Sequence, residues 1–261
     1  MAKAPFLSVV IPAFDEAERI PFTLIDLDRY LSRQDYSYEI LVVDDGSSDA
    51  TSRIVSHFSE LIPRLTVLYN PDHRGKGAVM KLGMLTAKGD WRLLMDADNS
   101  VTIREFEKIL PFIQPRREYD IVVASRSVRG TILKPNFPFF RRIAEWKINI
   151  LSRIFFKLPV RDSLIGFKCF SRDAADRVFG ATRLTEWATD LESLVLSHTM
   201  GYRTREVSFR GQFVSGGHFS FIFYLQFLWR IATIRWWLSR GRYALSHPEG
   251  RYTPPTDMSI T

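Results

Sequence analysis

The sequence predicts an α/β domain built on a mostly parallel sheet with helices on both faces. Short apolar runs alternate with segments of helical periodicity through residue 125, the pattern of right-handed βαβ units. Runs such as EILVVDD at 39–45 are too continuous to be half exposed, as expected of parallel strands covered on both sides. Three acidic clusters, Asp15-Glu16, Asp44-Asp45 and Asp96/Asp98, fall at predicted strand ends, where open parallel sheets bind ligands.

The elements follow in order. Ser8–Ile11 is a strand stopped by Pro12, and Ile20, Leu24, Leu27 and Leu31 recur at helical spacing. EILVVDD is the second strand. GSSDAT then offers Ser47, Ser48 and Asp49 as helix N-caps, with Ile54, Phe58 and Leu61 as the apolar stripe. Residues 66–69 read as strand, 76–87 as helix, 91–95 as strand, 103–113 as helix and 120–125 as strand. There is no internal repeat.

The second half changes character. Residues 137–160 mix aromatic, aliphatic and basic side chains; on a helix, Ile143, Trp146, Ile150, Ile154 and Leu158 share one side. Residues 219–238 are the most apolar stretch, with Gln226, Arg230 and Thr233 as a narrow polar stripe. The stretch is long enough to span a bilayer, but Arg230 and Arg235 favour a helix lying in the headgroup layer, with a buried core helix as the alternative. The tail after Tyr243 is polar and Pro-rich, a composition of disorder.

The 261 residues suffice for one large domain, and their net charge of +7 favours an anionic partner. Cys169 is the only cysteine, so an intrachain disulfide and a cysteine metal cluster are excluded; it reads as a small core residue. The opening MAKAPFLSVVIPAF lacks a signal-peptide plan and reads as a first strand, which predicts a protein facing the cytoplasm. No nucleic-acid-binding motif accompanies the basic charge, whose residues cluster with bulky apolar ones.

A single carboxylate suffices to cap a helix, and Asp15 and Asp49 are open to that reading. Asp96 and Asp98 in MDADNS are a pair, and alternate-residue oxygens suit a hard divalent cation that also holds a diphosphate. An EF-hand fails because Val101 stands where the loop needs glycine. HRGKGAV lacks the first glycine and the Ser/Thr of a P-loop, and no Gly-x-Gly-x-x-Gly follows the first strand.

VVIPAFDEAERI, EILVVDDGSSDAT, RGKGAVMKLGMLTAKGD, LLMDADNS and VVASR resemble inverting glycosyltransferases of family 2. RDSLIGFKCF and TEWATDLE are similar to the polyprenyl-phosphate branch, above all the dolichyl-phosphate glucosyltransferases. The resemblance implies a GT-A fold, with a Rossmann-like sheet and amphipathic interfacial helices towards the C-terminus. It divides the chain into a catalytic domain over 1–215 carrying the 137–160 segment, a membrane-associating helix at 216–243 and a disordered tail at 244–261.

Position by position, Pro12, Phe14 and Glu16 match residues lining the base and ribose, with Phe in place of the family Tyr. Val43 and Asp45 match the base-contacting pair. Asp96, Ala97 and Asp98 match the Asp-x-Asp that binds metal and diphosphate, implying Mg²⁺ or Mn²⁺ on Asp96 and Asp98. Ser100 stands where mannosyl relatives use Gln. Arg126 and Arg141 match arginines that handle donor and acceptor phosphates, and Gly216-Gly217-His218 replaces a Gly-Ser-Lys. Asp190 stands where hydroxyl-acceptor relatives carry their base; it is read either as base-like or orienting, or as a helix N-terminal carboxylate near Trp187.

The implied reaction transfers glucose from UDP-glucose to a polyprenyl phosphate at the cytoplasmic face of a membrane, by a peripheral or monotopic enzyme with no nucleic-acid partner. GDP-mannose as donor, a glycan hydroxyl as acceptor and a basic nucleic-acid-binding module are the competing expectations.

Overall fold

A computed structural model of the chain describes residues 4–114, 118–134, 139–212, 221–243 and 245. The first half follows the expected alternation: β1 (Leu7–Ala13), α1 (Ile20–Leu31), β2 (Tyr38–Asp44), α2 (Thr51–Leu61), β3 (Leu65–Tyr69), α3 (Lys76–Thr86) and β4 (Trp91–Leu94). A 3₁₀ turn (Ile103–Lys108), α4 (Leu110–Ile113), β5 (Ile121–Ala124) and β6 (Ile132–Lys134) come next. Then follow α5 (Phe139–Phe156), β7 (Lys168–Ser171), α6 (Arg172–Ala181), α7 (Thr189–Thr199), β8 (Thr204–Val207), β9 (Arg210–Gln212) and α8 (Phe221–Ser239).

The main sheet has the order β3-β2-β1-β4-β7-β5-β8, and β6 pairs with β9 in a second, two-stranded sheet. Among the described strands of this sheet, β7 alone runs antiparallel to its neighbours, β4 and β5. Side chains alternate between two apolar layers, as the continuous runs require. Val10, Leu41, Val43 and Leu94 pack towards α3, α6, α7 and the inner sides of α5 and α8. Val9, Ile11, Ile40, Val42 and Leu93 pack towards α1, α2 and the 3₁₀ turn. Cys169 is fully buried in the second layer, and burial pushes its thiol up.

Two expected boundaries differ. β1 continues through Pro12, which lies opposite Val43. Val10 accepts from Met95 on the β4 side, so Pro12 turns its missing donor to that same side, where β4 has already ended. The helix expected at 103–113 is broken into a 3₁₀ turn and one α turn, because Pro111 cannot donate a hydrogen bond to the preceding turn.

Of the expected stripe, Trp146 and Ile154 on α5 point outward, 62% and 69% exposed, and Ile143 and Ile150 are half-buried. Leu158 falls beyond the end of α5 and is buried in the core; Glu145, Ile148 and Ser152 on the helix are also buried. On α8, Phe227, Ile231 and Ile234 are buried in the core and Trp229 is 70% exposed. The Tyr243 hydroxyl donates to Glu192 at 2.8 Å. That carboxylate also receives the backbone N–H groups of Arg183 and Leu184. The chain after α8 is thus tied to α7. No helix among the described residues is long and apolar enough to cross a membrane. Gly216-Gly217-His218 and, apart from Leu245, the tail at 244–261 lie outside the described residues.

Candidate active site

β4 pairs with β1 only as far as Val10, whereas β2 stays paired to Ala13. A crevice therefore opens at the carboxyl ends of β1, β2 and β4, the topological switch point of the sheet. Phe14 and Glu16 follow β1, Asp45 follows β2, and Asp96 to Asp98 follow β4.

Much of the acidic surface is used to shape this rim. Asp15, with φ of 51°, accepts from the backbone N–H groups of Ser48 and Asp49, so it braces the neighbouring loop instead of capping α1. Asp49 accepts from Thr51 N–H at 2.8 Å and from Ala17 N–H at 3.0 Å, joining the start of α2 to the β1 loop. Asp44 accepts from Ser47 and Ser52. Asp45 is buried and receives Asn70 Nδ2 at 2.6 Å, Arg74 N–H at 3.0 Å and Gly75 N–H at 2.8 Å. Phe14 is exposed and stacks on His73, centroids 4.0 Å apart. Val43 is buried beside Pro12, and the Ala97 carbonyl accepts from Thr23 Oγ1 at 2.6 Å.

The deep end of the crevice holds a chain of alternating charges. Lys76 Nζ lies 2.7 Å from Asp96 Oδ1 and 3.4 Å from Asp190 Oδ2. It also sits 5.0 Å from the centre of the Trp187 ring. Lys168 Nζ contacts the other Asp190 oxygen. Burial alone would raise the Asp96 carboxyl, but the nearby Lys76 cation, with Lys168 and Arg126 behind it, holds it below its usual range. Gly166 packs directly on the Asp96 carboxylate, so close that a methyl group there would lie 1.8 Å from Oδ2. Asp98 accepts from Ser100 N–H at 2.9 Å.

Arg126 grips Asp162 through Nε and Nη2, each at 2.7 Å, and reaches Glu145 of α5 through Nη1. It therefore fastens the end of β5 to α5. Arg141 is in the first turn of α5, and its side chain falls outside the described residues.

The donor set fits a hard divalent cation. Glu16 is paired with Arg19 at 2.6 Å, yet its carboxyl is pushed up to about 7. Burial is the main cause, opposed by Arg19 and reinforced by the charges of Asp98 and Asp96. The carboxylates of Asp98 and Asp96 thus lie near enough to Glu16 to act on it. Among the described residues no group of three His, Cys, Asp or Glu side chains gathers around one point. Asp96 and Asp98 would hold Mg²⁺ or Mn²⁺ only together with oxygens of a bound diphosphate, the usual composition of such sites.

The structure thus joins Phe14, Glu16, Asp45, Asp96, Asp98 and Asp190 around one crevice. Sequence reasoning missed Lys76, Lys168, Gly166, Asp162 and Glu145 as parts of it. Lys168 carried a signal: a lone cation in the apolar run GFKCF, where an unpaired charge is rarely buried.

Comparison with known proteins gives the family and the fold. The family model for glycosyl transferase family 2 matches residues 8–179. The chain is 32% identical over 213 residues to a dolichyl-phosphate beta-glucosyltransferase of Dictyostelium discoideum, covering 78% of this chain and 65% of that protein. It is 30% identical over 255 residues to the Drosophila melanogaster protein of the same name, covering 88% and 78%. The chain thus spans about two thirds of the Dictyostelium relative's length. Among solved structures, it is similar to glucosyl-3-phosphoglycerate synthase from Mycobacterium tuberculosis in complex with Mn²⁺, UDP-glucose and phosphoglyceric acid. The TM-score is 0.64 at 13% identity, covering 88% of this chain and 80% of that one, a likeness of fold. The chain belongs to glycosyl transferase family 2 and has a GT-A fold.

Proposed function

We propose that this enzyme transfers glucose, with inversion, from UDP-glucose to a polyprenyl phosphate of the dolichyl type, at the cytoplasmic face of a membrane. One observation carries the acceptor. A groove of about 590 Å³ is walled by Trp187, Leu225, Phe227 and Trp229 together with Gln226 and the Glu186–Arg230 ion pair, and Trp187 also contacts Lys76 of the crevice. An apolar chain can lie there with its phosphate turned towards the crevice. The relatives named dolichyl-phosphate beta-glucosyltransferase support glucose as the sugar.

In this reading Pro12, Phe14, Glu16, Val43 and Asp45 form the nucleoside end of the cleft, and Asp96, Ala97 and Asp98 the diphosphate end. A divalent cation held by Asp96 and Asp98 would neutralise charge developing on the departing diphosphate. A phosphate monoester, with a second pKa of about 6, is mostly dianionic at neutral pH and needs no general base. It needs cationic positioning. Arg126 already grips Asp162 and Glu145 and shapes the cleft wall, and Arg141 is the acceptor-phosphate ligand.

The decisive assay offers radiolabelled nucleotide sugars with a short polyprenyl phosphate. Organic-phase product is expected from UDP-glucose. Product from GDP-mannose alone would replace the donor, and transfer only to free sugar hydroxyls would overturn the acceptor.

The membrane surface has its own test. Trp146, Ile154, Phe155 and Trp229 are exposed on α5 and α8, near Arg142, Lys147, Arg153 and Arg235, a mixture suited to the headgroup layer. Trp146→Ser with Trp229→Ser is expected to abolish flotation with anionic liposomes while leaving the melting temperature nearly unchanged. High salt should release the wild type only partly, because apolar burial is not screened. Unchanged flotation of the double variant would remove these helices from the interface.

A further inference from the structure

We propose that Lys168 is a positioning residue of the transfer reaction: it locks Asp190 into the cleft wall as a fixed counter-ion, so that Asp190 is not placed to serve as a general base and the acceptor must arrive already charged. The inference rests on the phosphate-acceptor reading above and deepens it.

The local sequence places this pair. Lys168 begins β7, a fully buried strand between β4 and β5. It lies two residues from Phe170 and so projects to the same side of the sheet, the side covered by α7. Its side chain is 0% exposed, and a charge in such a place requires a partner. Asp190, in the first turn of α7, supplies it through one carboxylate oxygen, with its carbonyl 3.4 Å from the same ammonium.

Asp190 has little left to offer a substrate. Its other oxygen faces Lys76 at 3.4 Å, and its side chain is 4% exposed. A general base must approach the hydroxyl it deprotonates to within hydrogen-bond reach. Here one oxygen is turned into the sheet and the other towards an ammonium. The consequence runs forward: Asp190 places Lys76, and Lys76 holds Asp96 at 2.7 Å. Lys168, out of reach of any substrate, thereby sets the geometry of the Asp-x-Asp from beneath.

The test uses the full-length enzyme with UDP-glucose and a short polyprenyl phosphate. It compares Lys168→Met, Lys168→Arg, Asp190→Asn and the Met/Asn double variant, with kcat normalised to UDP-binding sites. Lys168→Met is expected to lower kcat about 10- to 100-fold with KM for UDP-glucose within about threefold, the signature of lost positioning. Lys168→Arg should recover much of the loss. The double variant should fall within about threefold of Asp190→Asn, because the two residues act as one unit. Asp190→Asn should keep the wild-type pH profile, whose rising limb follows the acceptor phosphate near a pKa of about 6.

Normal kcat per binding site in Lys168→Met would make Lys168 only a support of the fold and overturn the proposal. So would losses that multiply in the double variant. A rising limb that disappears in Asp190→Asn would make Asp190 a base and overturn it equally. A wild-type enzyme active only on hydroxyl acceptors would overturn the functional reading and the charged-acceptor half of the inference. The coupling of Lys168 to Asp190, measured on that acceptor, would then stand or fall separately.

Discussion

Asp98→Ala is expected to lower transfer by about 10³-fold or more while the protein stays folded. Asp98 is partly exposed at the crevice, and its one described hydrogen bond within the chain is to Ser100 N–H at 2.9 Å. Losing it costs stability on the order of 1 kcal/mol. The catalytic loss is expected to be larger because a divalent cation held by Asp96 and Asp98 would supply several kcal/mol of transition-state stabilisation. With Asp98 removed, Asp96 alone would have to hold that cation while already paired with Lys76. Two measurements check this. Thermal stabilisation by UDP should require Mg²⁺ or Mn²⁺ in the wild type and vanish in the variant. Excess EDTA should abolish wild-type transfer; full activity in EDTA would remove the metal from the mechanism.

Gly166→Ala is the second large effect, and its direction comes from crowding alone. The added methyl would lie 1.8 Å from Asp96 Oδ2, 2.2 Å from Cγ and 2.5 Å from Oδ1. No real contact is that short, so the Asp96 side chain or the 162–166 loop must move. The side chain is the softer element, but Lys76 holds it at Oδ1. Overpacking of this kind costs about 1–3 kcal/mol. Displacing a carboxylate that is to hold the cation by about 1 Å would cost about 10²-fold in rate. We expect transfer to fall by at least that factor, with a folded protein by circular dichroism and weakened stabilisation by UDP with Mn²⁺. Full activity in Gly166→Ala would show that the observed Asp96 position is not the working one.

The two variants also separate what each kind of information supplies. Asp98 is a candidate on MDADNS alone, because two carboxylates at a strand end suit a divalent cation. Gly166 is legible only in three dimensions, since nothing in SLIGF says that its α-carbon meets a carboxylate seventy residues earlier in the chain. The membrane reading shows the same division. Deleting 219–243 is a natural truncation to draw from sequence. The structure makes it destructive, because Phe227, Ile231, Ile234 and Tyr243 belong to the core. Substituting exposed tryptophans is the test that spares the fold.

The sequence by itself determined the α/β alternation, the sheet buried on both faces and the three acidic strand ends. These depend on periodicity and on strand-to-helix order, which are local or nearly so. The antiparallel insertion of β7 between β4 and β5 is a matter of tertiary structure, because four residues of KCFS are compatible with either direction. So is the outward turn of the Trp146 stripe on α5, since an amphipathic helix shows two faces and only its packing partners choose which is covered. The charge chain Lys168–Asp190–Lys76–Asp96 links β7, α7, α3 and the end of β4. Ion pairs leave no periodic trace in sequence, and these four residues, spread over about a hundred positions, meet only because the sheet order brings β4 beside β7 and lays α3 and α7 across them.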